Sequence, residues 1–121
     1  MNFDEAIRAH SAWRLKLSVY LRKPDGSLKA EQIQPDNRCA LGQWIYGERS
    51  RLSQYPEYAT LRSEHATFHE AAAEVVRKAD SGQSVTEEIA IGGQSKFAHT
   101  SNAVVQLIMS IRKRVDSGKT Q

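Results

Sequence analysis

A single cysteine in 121 residues excludes an intramolecular disulfide, and only three prolines, at positions 24, 35 and 56, leave long stretches free to form uninterrupted helix. No run of about 18 apolar residues occurs, so no transmembrane helix is expected. The N-terminus, MNFDEAIRAHSAWRLKL, carries charges throughout and lacks the apolar stretch of a signal peptide. No tract of one charge sign stands out either: 17 basic and 14 acidic residues are scattered along the chain, for a net charge of +3. The strongest cluster, Arg112-Lys113-Arg114, closes an apolar-periodic run, where cations complement the negative end of a helix dipole. The aromatic interleaving of a single-strand nucleic-acid surface is missing. The expectation is therefore no nucleic-acid partner and no membrane, and a lone thiol favours the reducing cytoplasm.

What is present suits one compact domain spanning residues 1–121, with 40% hydrophobic and 26% charged residues. Between residues 2 and 22, Phe3, Ala6, His10, Trp13, Leu17 and Tyr20 alternate at spacings of three and four, the seam of an amphipathic helix. Lys23-Pro24-Asp25-Gly26 and Pro35-Asp36-Asn37 are turn signals around a polar connection. A short aromatic helix over 39–47 follows, with Leu41, Trp44 and Ile45 at helical spacing and Gly47 available as its cap. A third helix from about 57 to 80 has the seam Tyr58, Leu61, His65, Phe68, Ala72, Val75 and Ala79. A fourth is expected to start near Ser84, to have a kink or irregular turn at Gly92-Gly93, and to end at Asp116-Ser117-Gly118. Its seam is Phe97, Ser101, Val104, Ile108, Ile111 and Val115. No strand-period alternation occurs, so the expected fold is all-α: an antiparallel four-helix bundle with a short extra helix carrying the cysteine.

His10, Cys39, His65 and His69 are spaced to bring ligands from separate helices to one point. His65 and His69 lie one turn apart on the same helical face, and His10 and His65 fall on predicted seams. Taken singly, each has a plain structural reading: a histidine on an apolar face hydrogen-bonds within the core, and a lone cysteine is a small hydrophobe. Together they differ, because three buried imidazoles without partners are costly and a shared cation removes that cost. One thiolate and three imidazoles are a donor set for tetrahedral Zn²⁺. His99 lies off the seam of its helix and is left out. Trp13 and Trp44 read as core or site-wall residues, and Glu64 and Glu70 either orient the imidazoles from behind or lie on a solvated helix face.

The segments His10-Ser-Ala-Trp13, Cys39-Ala-Leu-Gly42-Gln-Trp44 and His65-Ala-Thr-Phe-His69 resemble, in order and spacing, the H-x-x-W, C-x-[LF]-G-x-W and H-x-x-x-H motifs of the chemoreceptor zinc-binding domain family. The resemblance runs from about residue 6 to 115. It implies a four-helix bundle with a His₃Cys zinc site made by His10, Cys39, His65 and His69. It also implies a sensory module, often a homodimer, attached to bacterial cytoplasmic chemoreceptors or diguanylate cyclases. In such modules zinc, or oxidation of the cysteine by an agent such as hypochlorous acid, alters a chemotaxis or cyclic-di-GMP output. Neither a signalling coiled coil nor a cyclase motif is present in these residues, so the output partner is expected in another domain or another chain.

A tetrahedral ion with four protein ligands has no water left to activate, so no enzymatic activity is expected. Three competing readings are a dimeric adaptor with a purely structural zinc, a zinc hydrolase using Glu64 or Glu70 as base, and an iron carboxylate bundle. The last needs inward glutamates in a Glu-x-x-His pattern, and glutamate is scarce on the seams.

Overall fold

The computed structural model of the protein describes residues 2–82 and 86–119. Three long helices dominate: α1 (Phe3–Arg22), α5 (Pro56–Asp80) and α7 (Lys96–Lys119). Four short ones accompany them: α2 (Ala30–Ile33), α3 (Ala40–Gly47), α4 (Arg49–Leu52) and α6 (Glu87–Ile91). No strand occurs among the described residues, so the all-α bundle read from the periodicity is the fold. No helix among them is long and apolar enough to cross a membrane.

The long helices start where local chemistry satisfies their free amides. Asn2 and Glu5 form a reciprocal capping box at the head of α1. Pro56 occupies the first turn of α5, where its missing N–H costs nothing. Ser95 Oγ accepts the Ala98 N–H at 3.1 Å at the head of α7.

Side-chain pairs fix the directions. Arg112 meets Asp4 and Arg114 meets Glu57, so the end of α7 lies beside the beginnings of both α1 and α5. Tyr20 meets Asp80 at 2.6 Å, which sets the ends of α1 and α5 side by side. Helices α1 and α5 thus run parallel, with α7 antiparallel to both. The return crossing needed between two parallel helices is the segment that carries α2, α3 and α4. Their faces fill the remaining side of the core through Ala30, Ile33, Leu41, Trp44, Ile45 and Leu52.

The three seams are the core. Leu17, Leu61, Phe68, Val104 and Ile108 are fully enclosed. Each large apolar side chain buried in this way stabilises the fold by roughly 1.5–3 kcal/mol relative to exposure. Phe68 sits at the centre, 5.0 Å from Phe97 between ring centroids.

Local details refine the periodicity. The irregular turn expected at Gly92-Gly93 divides the fourth helix in two, because Gly92 is extended and a Cβ there would stand 2.2 Å from the Glu88 carbonyl oxygen. Thr86 caps α6, accepting the Ile89 N–H at 3.2 Å, while the expected start at Ser84 lies outside the described residues. Helix α7 continues through Asp116-Ser117-Gly118 to Lys119. Gly47 is the last helical residue of α3 and carries no left-handed cap.

Candidate metal centre

Cys39 occupies the N-cap of α3, and its sulfur accepts the Gly42 N–H at 3.2 Å. The backbone amide and the positive dipole end at the helix start favour the anion, and burial opposes them more strongly. The chain reaches this position because Gly42 lets the preceding segment press against α3. A Cβ on residue 42 would stand 1.8 Å from the Asp36 carbonyl oxygen.

Across from Cys39, α5 presents His65 and His69 one turn apart, both 1% exposed. Their Nε2 atoms are 3.1 Å from each other. Cys39 Sγ lies 3.5 Å from the first and 3.2 Å from the second. Bonds of about 2.0–2.1 Å to nitrogen and about 2.3 Å to sulfur set tetrahedral donors about 3.3 Å apart for two nitrogens and about 3.6 Å apart for nitrogen and sulfur. The triangle of Cys39, His65 and His69 is one face of such a tetrahedron, slightly contracted.

The tautomer of His69 follows from its other nitrogen. Nδ1 lies 2.7 Å from the Ile33 carbonyl oxygen. A carbonyl only accepts, so Nδ1 carries the proton and Nε2 presents a bare lone pair to Cys39 and His65. The group that orients His69 is thus a backbone carbonyl of α2, and neither of the candidate carboxylates, Glu64 and Glu70. Glu70 is exposed and Glu64 half-buried. Trp13 stands edge-on to His69 at 5.9 Å between centroids, a wall of the site as expected, while Trp44 packs on Phe3 at 5.4 Å.

His10 is 2% exposed, yet the structure does not place its ring nitrogens in the Cys39, His65 and His69 cluster. Its Nε2 is 2.9 Å from Ser101 Oγ, and its ring lies 4.3 Å from that of Phe68. His10 Nδ1 is buried without any hydrogen-bond partner. An orphaned polar atom of this kind costs about 1–3 kcal/mol, which a cation would relieve. His99, left out of the site on the sequence pattern, is exposed.

The electrostatics favour metal over protons. Burial, then the neighbouring His69, depresses His10 to about 4 against an effect of Ser101. Burial, with His69 and His10, depresses His65 to about 3. Burial also lowers His69, opposed by its bond to Ile33 and by the Asp36 carboxylate. All three are neutral imidazoles at neutral pH, the ligating form. Burial pushes the Cys39 thiol above its usual range against the amides at the start of α3. Two soft or borderline donor types, a dry wall and an unsatisfied ring nitrogen fit Zn²⁺ well.

Comparison with known families points the same way: residues 10–76, more than half of the chain, match the chemoreceptor zinc-binding domain. The chain belongs to this family. No curated protein and no solved structure matched the chain. The matched span includes the Cys39, His65 and His69 cluster and begins at His10.

Sequence reasoning did not find the Ile33 carbonyl, for which no side-chain signal exists. Ser101 was legible only as a polar interruption of the apolar α7 seam.

Proposed function

We propose that this chemoreceptor zinc-binding domain is a regulatory sensory module without catalytic activity, which holds zinc through Cys39, His65, His69 and His10 and controls a signalling output. The observation that carries this reading is the convergence of three donors at tetrahedral edge lengths beside a buried imidazole nitrogen with no partner. In this reading His10 completes the donor set by turning its ring toward the cluster. Bound zinc supplies a positive charge that keeps Cys39 as thiolate at neutral pH.

The core favours a switch over a purely structural zinc. Leu17, Leu61, Val104 and Ile108 join the long helices through apolar contacts that take no part in coordination. Cys39 ties the start of the short helix α3 to α5, while Leu41 and Ile45 in the core and the Tyr58 hydroxyl, which donates to the Ile45 carbonyl at 2.7 Å, hold the rest of it. Loss of the sulfur as a ligand loosens the start of α3 while the long helices persist as a frame. Oxidation is one route: the thiolate gives an electron pair to hypochlorous acid, takes its hydroxyl as sulfenic acid and releases chloride. A change in zinc level is the other. The output in this reading is a chemoreceptor signalling domain or a diguanylate cyclase, in the same chain or another, governing chemotaxis or cyclic-di-GMP. A homodimer through α7 belongs to the same reading, supported by the half-buried Val105 and the 53% exposed Met109.

Elemental mass spectrometry on protein purified without added metal, beside Cys39→Ala and His69→Ala, tests the proposal. One zinc per chain, weakened in both variants, supports it. A metal-free wild type that takes up no zinc refutes it.

A further inference from the structure

Residues 33–39 form a strap that touches the site at both ends. At one end the Ile33 carbonyl orients His69, and at the other Cys39 supplies the sulfur. Midway, Asp36 meets α3 twice, at positions one helical turn apart. Its carbonyl oxygen packs on Gly42, and its carboxylate accepts the Tyr46 hydroxyl at 2.8 Å. Tyr46 is itself placed by Arg62 of α5, whose guanidinium carbon lies 5.1 Å over the ring. Further along, Gln43 Nε2 donates to the Arg38 carbonyl at 3.4 Å. Gln34 Oε1 also accepts from the Arg77 guanidinium of α5, and between α2 and α3 the strap itself is neither helix nor strand.

We infer that Tyr46 and Asp36 are positioning residues for Cys39, forming a latch that keeps the strap closed over the sulfur and so sets how fast the thiol becomes accessible and zinc leaves. The latch rests on the zinc-site reading for its consequence on metal, but not for its effect on thiol access. The geometry supports this role because the latch ties the strap to the same helix that Cys39 caps, so opening the strap and turning the sulfur away from His65 and His69 are one movement. Its surface position suits regulation: Tyr46 is 36% exposed, so the latch is at the low-stability end of the fold.

The test is a cycle of Tyr46→Phe, Asp36→Ala and the double variant, with Ser18→Ala as control. The control removes another hydroxyl-to-carboxylate bond, the 2.6 Å contact of Ser18 with Glu87, far from Cys39. Two readouts are taken: the rate of Cys39 alkylation by N-ethylmaleimide in metal-free protein, and the rate of zinc release to a chromophoric chelator. Each single latch variant is expected to raise both rates about tenfold, the low end for a charged hydrogen bond because the pair is partly solvated. The double variant is expected to add little to either single one. Ser18→Ala should leave both rates unchanged. Alkylation unaltered in Tyr46→Phe and Asp36→Ala, or raised equally by Ser18→Ala, overturns the latch. A wild type that binds no zinc, with alkylation still raised in Tyr46→Phe and Asp36→Ala, overturns the zinc reading and leaves the latch standing.

Discussion

Replacing Gly42 with alanine should do far more damage than its single methyl suggests. The new Cβ would stand 1.8 Å from the Asp36 carbonyl oxygen, 2.8 Å from its carbonyl carbon and 3.2 Å from the Asn37 Cα, all main-chain atoms. Ordinary contact begins at about 3.4 Å, so the strap or the start of α3 must retreat by roughly 1.5 Å, and no side-chain rotation relieves it. Metal–ligand distances tolerate only about ±0.2 Å. Cys39 caps the helix that moves, so zinc affinity is expected to fall at least about 100-fold, the upper range for perturbing the support of a ligand. Overpacking should also lower the stability of the metal-free fold by about 1–3 kcal/mol. Gly47→Ala in the same helix is the matched control, since its Cβ meets nothing within 4 Å. That variant should bind zinc normally and gain up to about 1 kcal/mol from reduced unfolded-chain entropy. Chelator competition gives the affinities, and urea unfolding followed by circular dichroism gives the stabilities. A Gly42→Ala protein with wild-type zinc affinity would refute the claim that close approach of the strap sets the cysteine.

Other consequences follow from the charges and the core. Histidines with a normal value of 6.5 are depressed on folding to about 4 at position 10 and about 3 at position 65, so below 6.5 the unfolded chain binds more protons. Stability of the metal-free protein should therefore be greatest above pH 6.5 and fall steadily as the pH drops toward 4; urea midpoints that stay flat over that interval would contradict the burial of neutral imidazoles. With those imidazoles unprotonated and the Cys39 thiol pushed upward, zinc binding at pH 7 should release close to one proton per ion. Calorimetry in buffers of different ionisation enthalpy measures it, and a release near three would show that the histidines are protonated before binding. Chelation should leave the far-ultraviolet helix signal largely intact, because the seams of α1, α5 and α7 also carry Leu17, Leu61, Val104 and Ile108, which are fully buried and coordinate nothing; complete loss of helix would sink the switch and favour a structural zinc. Ser101→Ala frees His10 from its 2.9 Å partner, and zinc affinity should rise or stay level; a large loss would mean that Ser101 holds His10 in its ligating pose.

The long helices were legible because spacings of three and four persist over many turns: Ala6, His10, Leu17 and Tyr20 on α1, Tyr58 to Val75 on α5, Phe97 to Val115 on α7. The histidine pair was legible for the same reason, since four residues on a helix fix a common face. Helices α2 and α4, each of four residues, are too short to show a period, and packing of Ala30, Ile33 and Leu52 against the core decides them instead. The partner of His69 was out of reach because a backbone carbonyl has no residue signature. Asp36 read only as turn chemistry, and its second role arises because the fold brings it against Gly42 and Tyr46, six and ten positions further along. His10 lay on its seam as expected, but whether a seam histidine bonds to serine or joins the ligand cluster depends on ring orientation, which spacing does not encode.

In the proposed site four protein side chains, His10 included, close the coordination of one zinc. X-ray absorption at the zinc edge, on the loaded wild type beside His10→Ala, tests this directly by counting sulfur and imidazole neighbours. One sulfur and three imidazoles are expected, with one imidazole lost in the variant. A wild-type spectrum with one sulfur, two imidazoles and a light-atom oxygen, unchanged by His10→Ala, would contradict it and reveal an open site.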